Sequence, residues 1–347
     1  MIGMTLRTRA AALLLATATA GAAGAAGASA SPQDEQTYAA VAVATPANGP
    51  GSQLYQLAIG ADGHVVAAVA VGPKRARFLT IDDVRGTTAV GTLERPLGGT
   101  DTANAFPDVV TVDIATGAMK VIAHNGGSPV LSFNGQRVLY VKQSSSTKPG
   151  SQPILRVPVG GGAPQKVLSP PKGRNFDALT TGQDGHTVFA TAATPLQGGT
   201  QADFARLRPP TLYRFNIAAP KLMRVPLKHP LYGVSCGTLV ADLMGTHLAL
   251  GCNITQGDDP IVDVVTLAGG AVHQVPRKVG LRSVTAWSPD GQWIDASRAN
   301  ATPKDPFDLA QAFGTAHHKL TGLPAGADVQ SVTLVRSGGT LEPLRHS

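Results

Sequence analysis

The run Ser283–Ala299, S-V-T-A-W-S-P-D-G-Q-W-I-D-A-S-R-A, constrains this chain more than any other stretch. Two apolar segments flank Ser288-Pro289-Asp290-Gly291. Proline presets a φ of about −65° at the second turn position, and glycine takes the left-handed backbone that other residues resist. The flanks are therefore predicted as antiparallel strands joined by a hairpin. The pattern recurs, with turn glycines at Gly63, Gly135, Gly185, Gly245, Gly291 and Gly338. A spacing of roughly 50 residues holds four short strands and their turns, which is the period of propeller blades.

Laying the apolar runs on that period gives the units. The first pairs Leu54–Ile59 and Val65–Val71 with Val109–Ile114 and Met119–Ala123, around an insertion from Gly72 to Pro107. The second is Pro129–Phe133, Arg137–Lys142, Ile154–Val159 and Gln165–Leu168. The third runs from Phe176 to Leu227, the fourth from Leu239 to Val275, and the fifth from the opening hairpin to Leu320. A sixth begins at Val329–Val335 and runs out of chain. An unfinished ring exposes an unpaired strand edge, which natural sheets avoid. The orphan run Tyr38–Thr45 can supply the missing strand, so the expectation is an all-β, six-bladed β-propeller over 37–347, closed by an N-terminal strand. Seven blades follow if the insertion forms a sheet of its own.

Ahead of that domain, Met1–Ala30 has a basic start (Arg7, Arg9), an apolar stretch around Leu13-Leu14-Leu15, and an Ala28-Ser29-Ala30 end. This is the pattern of a secretory signal peptide. Residues 31–36 are polar and read as a flexible terminus. The expected product is secreted or extracytoplasmic, monomeric, and without a transmembrane segment after cleavage. Composition agrees with strands and turns: 40 Gly, 26 Pro and only 15% charged residues in 347. The net charge is +7, but the basic residues fall in short scattered clusters, without the stripe or aromatic platform of a nucleic-acid binder. An anionic envelope polymer, or a protein, is the expected partner.

At Trp287-Ser288-Pro289-Asp290-Gly291 the sequence resembles the S-P-D-G repeat of WD40-like, TolB-type β-propellers. Asp113-Ile114-Ala115-Thr116-Gly117 is similar to the D-x-x-T-G turn of that repeat. The resemblance implies a fold rather than an activity, because propellers host binding proteins and enzymes alike.

Few residues point to chemistry. Cys236 and Cys252 lie either side of the fourth unit's turn, at positions that face each other in a simple hairpin, and are expected as a structural disulfide. His64, His186 and His247 recur just after turn glycines, too far apart around a ring to share a metal. Asp82-Asp83 and Asp258-Asp259 read as loop pairs, and Asp177 as the lone acid on an innermost strand. Lys74, Arg75 and Arg77 in the insertion form a candidate binding loop, and Trp287 and Trp293 a candidate ligand face. No catalytic, metal or cofactor set is assigned. The expectation is a non-catalytic binding or scaffold propeller; the alternative is an extracellular hydrolase or lyase acting on carbohydrate through the channel.

Overall fold

The computed structural model describes residues 37–45, 51–61, 64–95, 106–144, 148–195, 207–253, 261–275, 281–298, 309–313, 317–318, 328–337, 340–341 and 343–344. The expected signal segment and the polar residues after it lie outside them. The chain opens with β1 (Thr37–Thr45), β2 (Ser52–Ile59) and β3 (Val65–Arg75). Then come β4 (Leu79–Arg85), β5 (Thr88–Leu93), β6 (Asp108–Asp113) and β7 (Met119–His124). The next four are β8 (Gly126–Leu131), β9 (Arg137–Lys142), β10 (Ile154–Pro158) and β11 (Gln165–Leu168). They are followed by β12 (Asn175–Thr181), β13 (Thr187–Ala193), β14 (Thr211–Asn216) and β15 (Met223–Arg224). After these lie β16 (Ser235–Ala241), β17 (His247–Asn253), β18 (Ile261–Thr266) and β19 (Ala271–Gln274). The last full set is β20 (Leu281–Trp287), β21 (Trp293–Arg298), β22 (Leu309–Gln311) and β23 (His317–His318). The remaining strands are β24 (Asp328–Leu334) and the two-residue strands β25 (Arg336–Ser337), β26 (Thr340–Leu341) and β27 (Pro343–Leu344).

Five blades are contiguous in the chain, each of four consecutive antiparallel strands: β4–β7, β8–β11, β12–β15, β16–β19 and β20–β23. That is five contiguous units rather than the six or seven expected. The expected first unit is divided between two sheets. Its leading hairpin, β2–β3, joins β1 and β24 in the order β24-β1-β2-β3, with β27 also on β1. Its trailing hairpin, β6–β7, follows β4 and β5, which the sequence reading treated as an insertion. The β4–β5 turn at Gly86-Thr87 carries neither proline nor aspartate, so the turn signal was missing there. β1 pairs with β24 along most of its length, Ala42 opposite Val332 and Val43 opposite Ser331.

Strand alternation explains the core. On β1, Val41 and Val43 pack with Leu79, Ile81 and Val110 of the β4–β7 blade, whereas Ala40, Ala42 and Ala44 pack with Val332 and Leu334. On β9, Val138 and Tyr140 face β5–β6 while Leu139 and Val141 face β12–β13. Successive side chains of a strand point to opposite faces, so a sheet wedged between two others must be apolar on both. This is why the strands read as near-continuous apolar runs. Burial of each such side chain is worth about 1.5–3 kcal/mol.

Among the described residues the innermost strands β8, β12, β16, β20 and β24 have no ladder partner on their inner edge, and β4 has only the single parallel pair Arg85–Arg336 with β25; side chains of the next sheet satisfy part of that edge. Thr333 Oγ1 donates to Ile81 O at 2.8 Å, and Ile81 N donates to Ser331 Oγ at 3.1 Å. Leu131 N donates to Asp83 Oδ2 at 2.9 Å, and Val284 N to Thr238 Oγ1 at 3.1 Å. Buried backbone groups need partners, and these contacts bind neighbouring blades to one another.

Candidate functional site

Every innermost strand departs from a regular ladder. In β4 the pairing skips Asp82, in β12 Asp177, in β16 Gly237, and in β8 the pair Ser128-Pro129. The β24 ladder skips Gln330, and the β20 ladder skips Arg282. A bulge leaves one residue unpaired and re-aims it. Here Asp82, Ser128, Asp177, Gly237 and Gln330 all line one cavity of about 320 Å³. Ser128 sits at φ 47°, a left-handed conformation uncommon for serine, and so bears backbone strain at the cavity wall. The rest of the wall mixes polar Thr80, Thr92, Gln143, Thr238 and Ser331 with apolar Ile81, Leu179, Leu239, Val240 and Val284.

Two carboxyls in this wall titrate far from their usual range. The Asp82 side chain is exposed toward the cavity; desolvation first and the neighbouring Asp83 second push it up to about 7, against a hydrogen bond from Thr80. Desolvation also pushes Asp177 up to about 7, opposed by a backbone hydrogen bond from Cys236 and the charge of Arg174. Asp177 Oδ2 is buried without a hydrogen-bond partner. The sequence reading counted Asp177 as the lone acid of the innermost strands. Because β4 is also innermost, Asp82 and Asp83 join it. No group of three His, Cys, Asp or Glu side chains among the described residues is placed to hold a metal.

An adjoining cavity of about 30 Å³, room for about one water, shares Asp82 and Val240 with the first. Val130, Thr180, Val240, Ala286 and Thr333 line it beside Asp83 and Arg336. Charges crowd this region: Arg85 Nε lies 3.8 Å from Asp83 Oδ2, and Arg85 Nη2 donates to Thr181 Oγ1 at 3.1 Å. Burial lowers the pKa of Arg336, with Asp83 and Asp242 pulling it up and Arg85 pushing it down.

The expected residues are placed as follows. Cys236 and Cys252 are bonded and sit directly opposite each other in β16–β17. The route to that pairing differs from a simple hairpin. Near the turn Val240 faces Ala249 and Leu239 faces Leu250, a register that would carry Cys236 past Cys252; the bulge at Gly237 brings the two together. Trp287 is 2% exposed, packs with Val262 and Val264, donates through Nε1 to Val240 O at 3.2 Å, and lines the cavity of about 30 Å³. The Trp293 side chain lies outside the described part. In the basic loop Lys74 is exposed, whereas Arg75 donates to Pro73 O and Gly117 O. Arg77 reaches Glu94 O and Asp108 Oδ2. Asp108 also binds Arg95 Nε at 2.6 Å and His124 Nδ1 at 2.8 Å. Its burial would raise the carboxyl, but the hydrogen bonds from His124 and Arg95 hold it below the usual range. The two arginines are thus tied into the structure. His186 stacks on Phe133 at 4.5 Å, and His247 Nδ1 lies 3.1 Å from Asp242 Oδ2.

A second concavity lies on the outer part of the β12–β15 blade, a cleft of about 560 Å³. β15 is only two residues long, and after it the chain leaves the sheet through Val225–Pro230. Arg174, Arg208, Arg224, Lys228 and His229 line the cleft with Tyr213, Pro209, Pro210 and Pro230.

No family model matches the chain, and no curated protein matches it. Among solved structures it is similar to TolB from Acinetobacter baumannii, with a TM-score of 0.54 and 14% identity over 86% of this chain and 67% of that one. It is also similar to a chain of a nidogen/laminin complex, with a TM-score of 0.52 and 11% identity over 85% and 97%. At such identities the likeness defines the fold, a TolB-like β-propeller. The disulfide is compatible with an extracytoplasmic location. Among the described residues no helix is long and apolar enough to cross a membrane.

Proposed function

We propose that the protein is an exported binding propeller, released from its Met1–Ala30 signal, that holds a small polar ligand of sugar size at the wide end of its channel. In this reading the sheets make a ring fastened where β1 meets β24, and the protein performs no chemistry on what it binds. The observation that carries it is the ring of bulged residues: five strands each turn one residue toward the same cavity. At about 320 Å³ the cavity falls at the lower end of the ~300–1,000 Å³ range of small-molecule sites. Hydroxyls, amides and two carboxyls match the donors and acceptors of a polyol. Thermal-shift titration with a panel of mono- and disaccharides tests this, since a ligand of the native state raises Tm by mass action. Gly237→Phe should abolish the shift, because a Cβ at this position meets nothing within 4 Å and the ring would enter the cavity. No shift with any sugar, or an equal shift in the variant, contradicts the reading.

A second reading, an extracellular carbohydrate hydrolase or lyase, is favoured by one observation. Asp82 and Asp177 titrate at about 7 in the same cavity, the range in which one carboxyl can act as acid while another acts as base. Formation of reducing ends or unsaturated sugars that disappears in Asp177→Asn would establish it.

A further inference from the structure

We propose that the outer cleft of the β12–β15 blade is a separate binding site for a segment of acidic glycan, one whose sugars carry carboxylate or phosphate groups. The lining joins the cationic side chains Arg174, Arg208, Arg224 and Lys228 with His229, and no carboxylate lines it among the described residues. In a chain with 29 basic and 22 acidic residues, such a one-signed lining is a local concentration of charge rather than an average of the surface.

The cations divide by what they do. Arg174 Nη1 donates to Ala192 O at 2.8 Å and to Pro209 O at 3.2 Å, so it props the wall. The side chains of Arg208, Arg224, Lys228 and His229 are exposed and have no polar partner among the described residues. A planar guanidinium presents paired donors that match a carboxylate or phosphate, and two arginines with one lysine can engage successive anionic groups. The walls between them are apolar and stiff. Pro209, Pro210 and Pro230 have fixed φ, and the Tyr213 ring adds a flat surface for the carbon face of a sugar. A preformed wall reduces the ordering cost of binding.

The far side of the cleft is fixed from the neighbouring blade. Lys228 N donates to Gly270 O at 2.8 Å, and Gly270 lies so close to the link that a Cβ there would come within 2.2 Å of Pro226 O. Lys228 and His229 are therefore carried on a segment clamped between two sheets. A free loop would not hold them opposite Arg208 and Arg224. Carboxylates line the channel cavity, which would repel an anion, so the two sites select opposite ligands.

The test uses the full chain and affinity electrophoresis through gels containing polygalacturonate, a phosphomannan, neutral dextran, or single-stranded oligo(dT). Retardation by one or both acidic glycans at low salt, weakened at high salt and absent with dextran, supports the site. The stronger of the two glycans tells carboxylate from phosphate as the source. The triple variant Arg208→Gln, Arg224→Gln, Lys228→Gln should weaken glycan binding about tenfold or more, each surface charge contributing a few-fold. Lys166→Gln, at an exposed cation outside the cleft, should leave it unchanged. Equal loss in Lys166→Gln, retardation by oligo(dT) matching that by the glycans, or no retardation at low salt would each overturn the proposal. Sugar-induced thermal shifts in the triple variant should match those of the parent chain, which separates failure of this site from failure of the channel reading.

Discussion

The channel ring and the outer cleft are made by opposite means from the same repeat. The ring arises where inner strands gain a residue: each bulge adds one position to the ladder and turns it toward the axis. The cleft arises where an outer strand loses residues, β15 being cut to Met223–Arg224 beside Pro226. Bulging recurs in every sheet and yields an enclosed site whose carboxyls are desolvated. The short outer strand of the β12–β15 blade yields an open site whose cations remain in water. A propeller can therefore acquire an enclosed pocket from its symmetry and a surface site from a departure from it.

The largest expected effect bears on the ring. Cys236 and Cys252 flank the Gly237 bulge, and the Cys236 carbonyl accepts from Thr191 Oγ1 at 3.1 Å. The double variant Cys236→Ala, Cys252→Ala should lose roughly 3 kcal/mol in urea unfolding, the chain-entropy value for a loop of about this length. Channel binding should weaken with it while cleft binding persists in the folded fraction; equal loss at both sites would erase the contrast.

Next comes the response to pH. Asp82 and Asp177 titrate at about 7 and the fully buried Asp263 at about 6, all by desolvation foremost. Native pKa values above the unfolded one mean that the folded state retains protons the unfolded chain has released. Stability should thus fall as pH rises from about 4 to about 7 and level off above that. For Asp263, whose Oδ2 accepts from Tyr232 N at 2.8 Å, ionisation costs the native state roughly 2–3 kcal/mol. Asp263→Asn should flatten the lower part of that slope in pH-dependent urea titrations. An unchanged slope would mean that Asp263 does not titrate in this window.

Smaller effects separate the walls. Gly270→Ala adds a Cβ against Pro226 O at a backbone φ of 67°, so it should cost about 1–2 kcal/mol and weaken glycan retardation without altering sugar-induced thermal shifts. Gly237→Phe should do the reverse, with stability changed by less than about 0.5–1 kcal/mol and cleft binding intact. If both variants affected both sites alike, the sites would not be independent.

The turns were the most legible part of the sequence. In Ser288-Pro289-Asp290-Gly291 the glycine has φ 72° and donates its N–H to Ser288 O at 2.9 Å, while Asp290 Oδ1 accepts from Gln292 N. Proline, aspartate and glycine at fixed offsets specify that geometry by themselves. The blade boundaries were less legible, because β4–β5 turns through Gly86-Thr87 and has no such signature. The ring was not read at all. A bulge breaks a two-residue alternation by one place, which apolar runs such as Phe176–Thr181 conceal. One trace was available: Asp177 and Gly237 stand at the same offset before the turn glycines Gly185 and Gly245. The cysteine pairing was anticipated correctly through a hairpin register that the bulge alters. The burial of Trp287 was not legible, because flanking a turn does not fix which face a strand residue occupies; its neighbours in the next sheet do.

Everything said of the channel requires that β1 be an interior strand, held by β2 on one side and β24 on the other. Hydrogen exchange followed by mass spectrometry measures this at the peptide spanning Thr37–Thr45. The account requires its amides to exchange as slowly as those of Thr187–Ala193, the second strand of a contiguous blade. Exchange at the rate of a free chain end, with Thr187–Ala193 still protected, would contradict it.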